Sequence, residues 1–291
     1  MNRPASTRIA FQGERGAFSE EAALKLLGPE VSLVPCSTFD ATFSAIARHA
    51  ADCVLAPMEN SLAGSVHRSF DLLVESGLQI VGEVIIPIVH NLIAVPGASL
   101  PQIVSVESHP VALAQCEQFF LAHPRLKRIA AEDTAGSVRE IQRAGNPQRA
   151  AIASKRAAEL YGAVILQEHL EDDRENYTRF FLLANAPAPA QSAADKISLV
   201  FQLAHRPGAL QHALEPFARR NINMMKIESR PVHGRPWQYR FYLDLQAPAS
   251  DPDLQAALAE LAQHAVELKV LGSYKSAETS QAAKSTTEGL L

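Results

Sequence analysis

Cysteine is scarce in this chain: Cys36, Cys53 and Cys116 are the only three in 291 residues, and no pair has CxxC spacing. An odd count without paired spacing argues against a disulfide framework or a zinc site. It reads as buried small apolar side chains in a reduced, cytoplasmic setting. Long apolar runs are lacking too. Residues 84–89 form one of the longest, far too short for a bilayer, and residues 1–8 lack the apolar stretch of a signal peptide. Charge of one sign is not in excess, since 27 Lys+Arg against 31 Asp+Glu leave −4. Neither nucleic acid nor a membrane is therefore expected as a partner. No P-loop or dinucleotide fingerprint occurs: the glycine pair Gly13 and Gly16 fits neither spacing. His109 has no second ligand at metal spacing, so no metal is expected.

What remains is an ordinary globular composition, 47% hydrophobic and 20% charged, in a chain longer than one typical domain of roughly 100–150 residues. Strand-like segments at 8–11, 31–35 and 52–56 alternate with helical runs at 19–27, with Ser19 as N-cap, and 39–48. This predicts an α/β domain with a mainly parallel sheet. The β-rich segment 80–95, broken at Pro87, reads as a crossover to a second lobe. A second series follows: strands 103–106, 128–131 and 150–152 with helices 111–121, 135–144 and 155–161. Strands 164–167 and 180–183 return to the first lobe. Two lobes joined by crossover strands make a cleft suited to a small ligand. Residues 185–194, rich in Ala and Pro, read as a linker. Beyond them strands 196–203, 224–230, 239–245 and 266–274 and helices 208–219 and 252–265 follow the ferredoxin-like order βαββαβ. Residues 276–291 read as a disordered tail.

Polar clusters sit at the predicted strand ends. Asn176-Tyr177-Thr178-Arg179 runs into the apolar stretch 180–183, setting a hydroxyl beside a guanidinium fork suited to a carboxylate. Glu59-Asn60-Ser61, with Gly64, reads as a strand-to-helix junction with Ser61 as a cap and a helix N-terminus fit for an anion. Arg15 and Ser19, Ser108 with Gln115, and Thr134 lie at further strand-to-helix turns. In an α/β sheet such ends share one edge, where the crevice lies.

The ordered set 13–19, 57–66, 108–110 with 115–116, 133–135, 151–153 and 176–180 resembles the monofunctional prephenate dehydratases over about residues 7–275. The resemblance implies a two-lobed periplasmic-binding-protein-like catalytic region, 7–185, with lobe 1 about 7–84 and 165–185 and lobe 2 about 85–164. A 186–195 linker and an ACT regulatory domain, 196–275, would follow. It implies Thr178, Glu59, Asn60 and Gln115 as catalytic residues, with Ser61, Gly64, Arg179, Arg15, Ser19, Ser108, Thr134 and Asn176 around the substrate. The ACT motifs Pro207-Gly208-Ala209-Leu210 and Glu228-Ser229-Arg230-Pro231 are implied to bind L-phenylalanine. Prephenate is the implied substrate, without cofactor, in a homodimer or homotetramer paired through ACT domains. Arogenate dehydration and a non-catalytic amino-acid sensor are the alternatives. A fused chorismate mutase is not expected, because the first strand begins near residue 8.

Overall fold

The computed structural model describes residues 6–185, 194–232, 234–235 and 237–277. The expected linker and tail fall mostly on residues outside these. In chain order the first elements are β1 (Arg8–Gln12), α1 (Phe18–Leu27), β2 (Ser32–Cys36), α2 (Phe39–Ala47), β3 (Cys53–Asn60), β4 (Gly64–Ser65), α3 (His67–Ser76) and β5 (Gln79–Pro87). Next come β6 (Asn91–Ala94), β7 (Ser105–Ser108), α4 (Pro110–Ala114), α5 (Glu117–Ala122), β8 (Lys127–Ala130), α6 (Thr134–Ala144), β9 (Arg149–Ala153), α7 (Lys155–Tyr161), β10 (Val164–Gln167) and β11 (Tyr177–Ala184). The C-terminal part holds β12 (Lys196–Leu203), α8 (Ala209–Ala218), β13 (Asn223–Pro231), β14 (Tyr239–Gln246), α9 (Pro252–His264) and β15 (Ala265–Tyr274).

These strands form three sheets. One has the order β2-β1-β3-β11-β5 with β4 beside β3, a second β10-β6-β9-β7-β8, and a third β13-β14-β12-β15. The βα alternation shows in the parallel pairs β1–β2, β1–β3, β7–β8 and β7–β9. The second sheet is less parallel than expected, because β6 pairs antiparallel with both β9 and β10, and β10, the strand over 164–167 expected to return to the first lobe, stays in this sheet. Ile9, Ala10 and Phe11 in β1 and Val54 and Leu55 in β3 are fully buried, as strands covered on both faces require. In the second lobe Leu92, Val106, Phe119 and Ile152 pack on one side of the sheet, and Ile93, Ala151, Val138 and Ile141 on the other.

Three local expectations are corrected. The third strand does not stop at Pro57 but runs to Asn60. Its ladder with β1 ends at Leu55, so the missing N–H of Pro57 interrupts no bond on that side. The long helix expected over 111–121 is two short ones, broken at Gln115 and Cys116. Ser19 does not cap α1, whose N-cap is Ala17. The carboxylate of Glu20 reaches back instead to accept the N–H of Gly16, one residue before the N-cap, at 3.0 Å.

The chain divides into two compact units, residues 1–76 with 84–181 and residues 77–83 with 182–291. Inside the second unit α8 and α9 cover one face of the four-stranded sheet. Leu199, Phe201, Phe217, Leu243, Leu254 and Leu261 form its apolar core. The unit also takes in 77–83, the start of β5, which periodicity assigns to the first lobe. Ile80 meets Gly272 there, and Glu83 accepts from Lys196 at 2.7 Å.

Candidate active site

The site grows from a hairpin. The expected strand-to-helix junction at 59–65 is instead a tight turn between β3 and β4, with Glu59 opposite Ser65 and Asn60 opposite Gly64. The next helix begins only at His67, so Ser61 caps nothing. Ser61 Oγ donates to the Glu175 carbonyl at 2.6 Å and accepts the Tyr177 N–H at 2.9 Å. The turn is thereby fastened to the start of β11. Side chains alternate along each strand. Asn60 and Thr178 accordingly share one face of the neighbouring strands β3 and β11, while Glu59 and Arg179 share the opposite face. There the Arg179 Nε lies 3.1 Å from the Glu59 Oε1, and the guanidinium stands 4.9 Å above the Phe181 ring.

Asn60 organises the functional face. Its Nδ2 donates to Asn176 Oδ1 at 2.7 Å, to the Tyr177 carbonyl at 3.0 Å and to Thr178 Oγ1 at 3.1 Å. Its Oδ1 accepts the backbone N–H groups of Leu62 and Ala63. Thr178 Oγ1 is thus an acceptor within the protein, and its own proton is left to point elsewhere. From the second lobe Gln115 closes the network: its Nε2 lies 3.3 Å from Asn60 Oδ1, and its Oε1 accepts from Asn176 Nδ2 at 3.1 Å. The break between α4 and α5 places Gln115 as the C-cap of α4. The Gln115 carbonyl accepts the Asp172 N–H, and the Asp172 carboxylate caps α5 through Glu117 N and Gln118 N.

Asn60, Gln115 and Thr178 line a cleft of about 460 Å³, within the range of small-molecule sites. Ser19, Gly64 and Thr134, all expected around the substrate, line it as well, together with Ser65, His109 and Asp133. Asp133 caps α6 by accepting the Gly136 N–H at 2.6 Å. Burial raises its carboxyl above the ordinary value, against that bond. The lining holds two imidazoles, His90 and His109, and no lysine or arginine among the described residues. Burial lowers the pKa of each ring.

Other expected site residues are engaged elsewhere. Arg15 Nε donates to Glu20 Oε2 at 2.6 Å, and Ser108 Oγ donates to the Ile152 carbonyl at 2.6 Å with no exposure. Glu59 and Arg179 lie on the far face of their strands, away from Asn60 and Thr178. Asn176, 1% exposed, acts through Asn60 and Gln115. The first glycine loop serves packing. Gly16 has φ +86°, and a Cβ there would sit 2.9 Å from the Ala157 Cα. Sequence reading missed His90, which falls in the crossover segment with no motif around it. Its Nε2 lies 2.9 Å from Gln115 Oε1.

In the second unit a smaller cavity of about 120 Å³ is lined by Ala209 and Leu210 at the start of α8 and by Trp237, Tyr239 and Phe241. Glu228–Arg230 lie on β13, at the edge of that sheet. Glu228 pairs with Lys226 at 3.6 Å.

Comparison with known proteins agrees with this layout. Residues 9–188 match the prephenate dehydratase (PDT) family and residues 197–263 the ACT domain. A curated relative, arogenate dehydratase/prephenate dehydratase 2, chloroplastic, of Arabidopsis thaliana, is 44% identical over 92% of this chain and 72% of its own. Among solved structures, prephenate dehydratase of Arthrobacter aurescens in complex with L-Phe is 30% identical with a TM-score of 0.84, covering 97% of both chains. GqqA, described as a novel type of quorum quenching acylase, is 34% identical with a TM-score of 0.85, covering 92% of this chain and 98% of that one. The cytoplasmic setting read from the cysteines is overturned by the Arabidopsis relatives, which are chloroplastic by name. With an α/β catalytic region carrying the cleft and a βαββαβ unit following it in sequence, the chain belongs to the prephenate dehydratase family, with a C-terminal ACT domain.

Proposed function

We propose that the cleft converts prephenate to phenylpyruvate, water and carbon dioxide, with Thr178 assisting departure of the ring hydroxyl. One observation carries the reading. Thr178 Oγ1 accepts from Asn60 at 3.1 Å, so the threonine proton is left for a group in the cleft. The C–C bond to the ring carboxylate breaks, and its electron pair completes the aromatic ring. The C–O pair leaves with the hydroxyl, and a proton taken up from solvent makes water. Aromatisation supplies the driving force, so the barrier lies in expelling a poor leaving group. A hydrogen bond aimed at the departing oxygen lowers that barrier. The neutral donors of the lining suit the ring carboxylate, since weak solvation favours its loss as neutral carbon dioxide. Asn60 and Gln115 orient the substrate, while Ser19, Ser65 and Thr134 offer hydroxyls to its carboxylates. Glu59 and Arg179 support the hairpin from behind.

L-Phenylalanine is the proposed effector. Ala209 and Leu210 stand in the cavity at the start of α8, where backbone N–H groups suit a carboxylate. Glu228–Pro231, on the edge strand, would complete such a site between paired ACT domains of a homodimer or homotetramer. Arogenate, which differs at the side chain, is the sibling substrate.

Phenylpyruvate absorbance with prephenate, with and without added phenylalanine, and formation of phenylalanine from arogenate test these readings. Thr178→Ala is expected to lower kcat by roughly 10²–10⁴-fold. A variant with wild-type kcat removes Thr178 from the mechanism. Activity unchanged at saturating phenylalanine removes the effector.

A further inference from the structure

Two backbone N–H groups set the direction of the Asn60, Asn176 and Gln115 amides. Leu62 N and Ala63 N lie 3.0 and 2.8 Å from the Asn60 side chain. A backbone N–H only donates, so the atom facing them is oxygen, and the Asn60 Nδ2 must face Asn176, Tyr177 and Thr178. The Tyr177 carbonyl, which only accepts, demands the same orientation. With Asn176 Oδ1 occupied by Asn60, the Asn176 Nδ2 is turned to Gln115 at 3.1 Å. Gln115 must therefore present oxygen to Asn176 and nitrogen to Asn60.

The same Gln115 oxygen lies 2.9 Å from His90 Nε2. An amide oxygen has no proton to give, so the imidazole carries its proton on Nε2. The other ring nitrogen agrees. His90 Nδ1 is buried with no hydrogen-bond partner among the described residues, and a lone pair is cheaper to leave there than an N–H. Burial lowers the pKa of the ring, and the surroundings hold it in place. The His90 N–H donates to Glu171 Oε2 at 2.8 Å, the His90 carbonyl accepts from Leu170 N at 2.8 Å, and Phe18 meets the ring edge-on at 5.8 Å.

We propose that His90 is a positioning residue for the dehydration. As a neutral Nε2–H donor it holds the Gln115 carboxamide so that its nitrogen faces Asn60. Gln115 then keeps its place in the cleft lining, where it orients the substrate beside Asn60 and Thr178. The inference rests on the prephenate reading of the cleft. Without His90, the Gln115 carboxamide keeps only the Asn176 bond at 3.1 Å and the long Asn60 bond at 3.3 Å, and is held less firmly.

The test uses the full-length protein and prephenate. His90→Leu is expected to lower kcat about tenfold, the weight of one neutral hydrogen bond, with KM changed by less than about twofold. His90→Gln, which returns an amide N–H close to the Nε2 position, is expected to recover most of the loss. Melting curves of both variants identify any loss due to unfolding. Nitrogen-15 NMR of the wild type, with the His90 signal assigned by its disappearance in His90→Gln, is expected to show the neutral Nε2–H tautomer between about pH 6 and 8. Wild-type kcat in a folded His90→Leu, equal losses in folded Leu and Gln variants, or an Nδ1–H tautomer overturns the proposal. A wild-type protein inactive on both prephenate and arogenate overturns the functional reading instead, and the tautomer measurement still decides whether His90 donates.

Discussion

Replacing Lys196 by methionine probes the most deeply buried charge pair of the C-terminal unit. The Lys196 Nζ lies 2.7 Å from Glu83 Oε2 and 3.8 Å from Asp244 Oδ2, with side chains 4%, 2% and 7% exposed. Glu83 Oε1 also accepts the Ala277 N–H at 3.0 Å, and Asp244 Oδ1 accepts from Ser198 Oγ at 2.5 Å. Methionine keeps the stem and removes the charge, leaving two buried carboxylates near each other. Removing one partner of a buried pair costs about 3–5 kcal/mol. At roughly 2–4 °C per kcal/mol for a protein of this size, the calorimetric melting transition should fall by about 6–20 °C. The double variant Lys196→Met, Glu83→Gln removes both charges while keeping an acceptor for Ala277. It should recover part of the loss, because the Lys196–Glu83 pair contributes little beyond compensating its own desolvation, while Asp244 stays buried without its lysine. A single variant within about 1 kcal/mol of wild type, or a double variant no better than the single, refutes the reasoning.

Two further outcomes follow from packing and charge. Gly272→Ala would set a Cβ 2.2 Å from the Ile80 carbonyl oxygen. Backbone faces backbone there and no rotamer relieves the clash, so a loss of at least about 1–3 kcal/mol is expected in thermal melts; an unchanged melting temperature would mean that β15 can shift away. Glu20 is fully buried, which by itself raises its pKa, yet Arg15, the Gly16 N–H and Arg156 together hold it below the ordinary value of 4.5. The folded carboxyl thus binds its proton less readily than the unfolded one. Its contribution is complete above about pH 4.5 and vanishes as pH falls through the lower folded value. The stability gap between wild type and Glu20→Gln, read from urea midpoints, should be roughly 1–3 kcal/mol at neutral pH and narrow near pH 3; an equal gap at both would remove the linkage.

Much of the fold was legible because burial imposes a period. The run Lys196–Leu203 and the helix Lys155–Tyr161 appear over the same residues that pattern reading assigns them. Legibility failed where a partner far along the chain decides the local structure. The turn after Asn60 reads as a helix start until Ser61 is seen fastened to Glu175 and Tyr177. A strand through Pro57 looks forbidden until the β1 ladder is seen to stop at Leu55. In the site, Asn60 and Thr178 stood out as polar residues at strand ends, while Gln115 was marked only by the family resemblance, the break that makes it a helix end being visible only in the fold. His90 did not, because its role comes from a Gln115 oxygen 25 positions further on.

The amino-acid order alone determined the classes of element and the two-lobed α/β plan with its βαββαβ appendix, together with the strand-end positions of its polar clusters. These follow from periodicity and side-chain chemistry, which are local. Tertiary structure alone decided which face each of those residues occupies. Thr178 and Arg179 are neighbours in sequence, yet the pleat sends one into the cleft and the other behind it onto Glu59. The direction of the Thr178 proton was likewise set by Asn60, 118 residues away, because a hydroxyl takes its orientation from the donor that reaches it first.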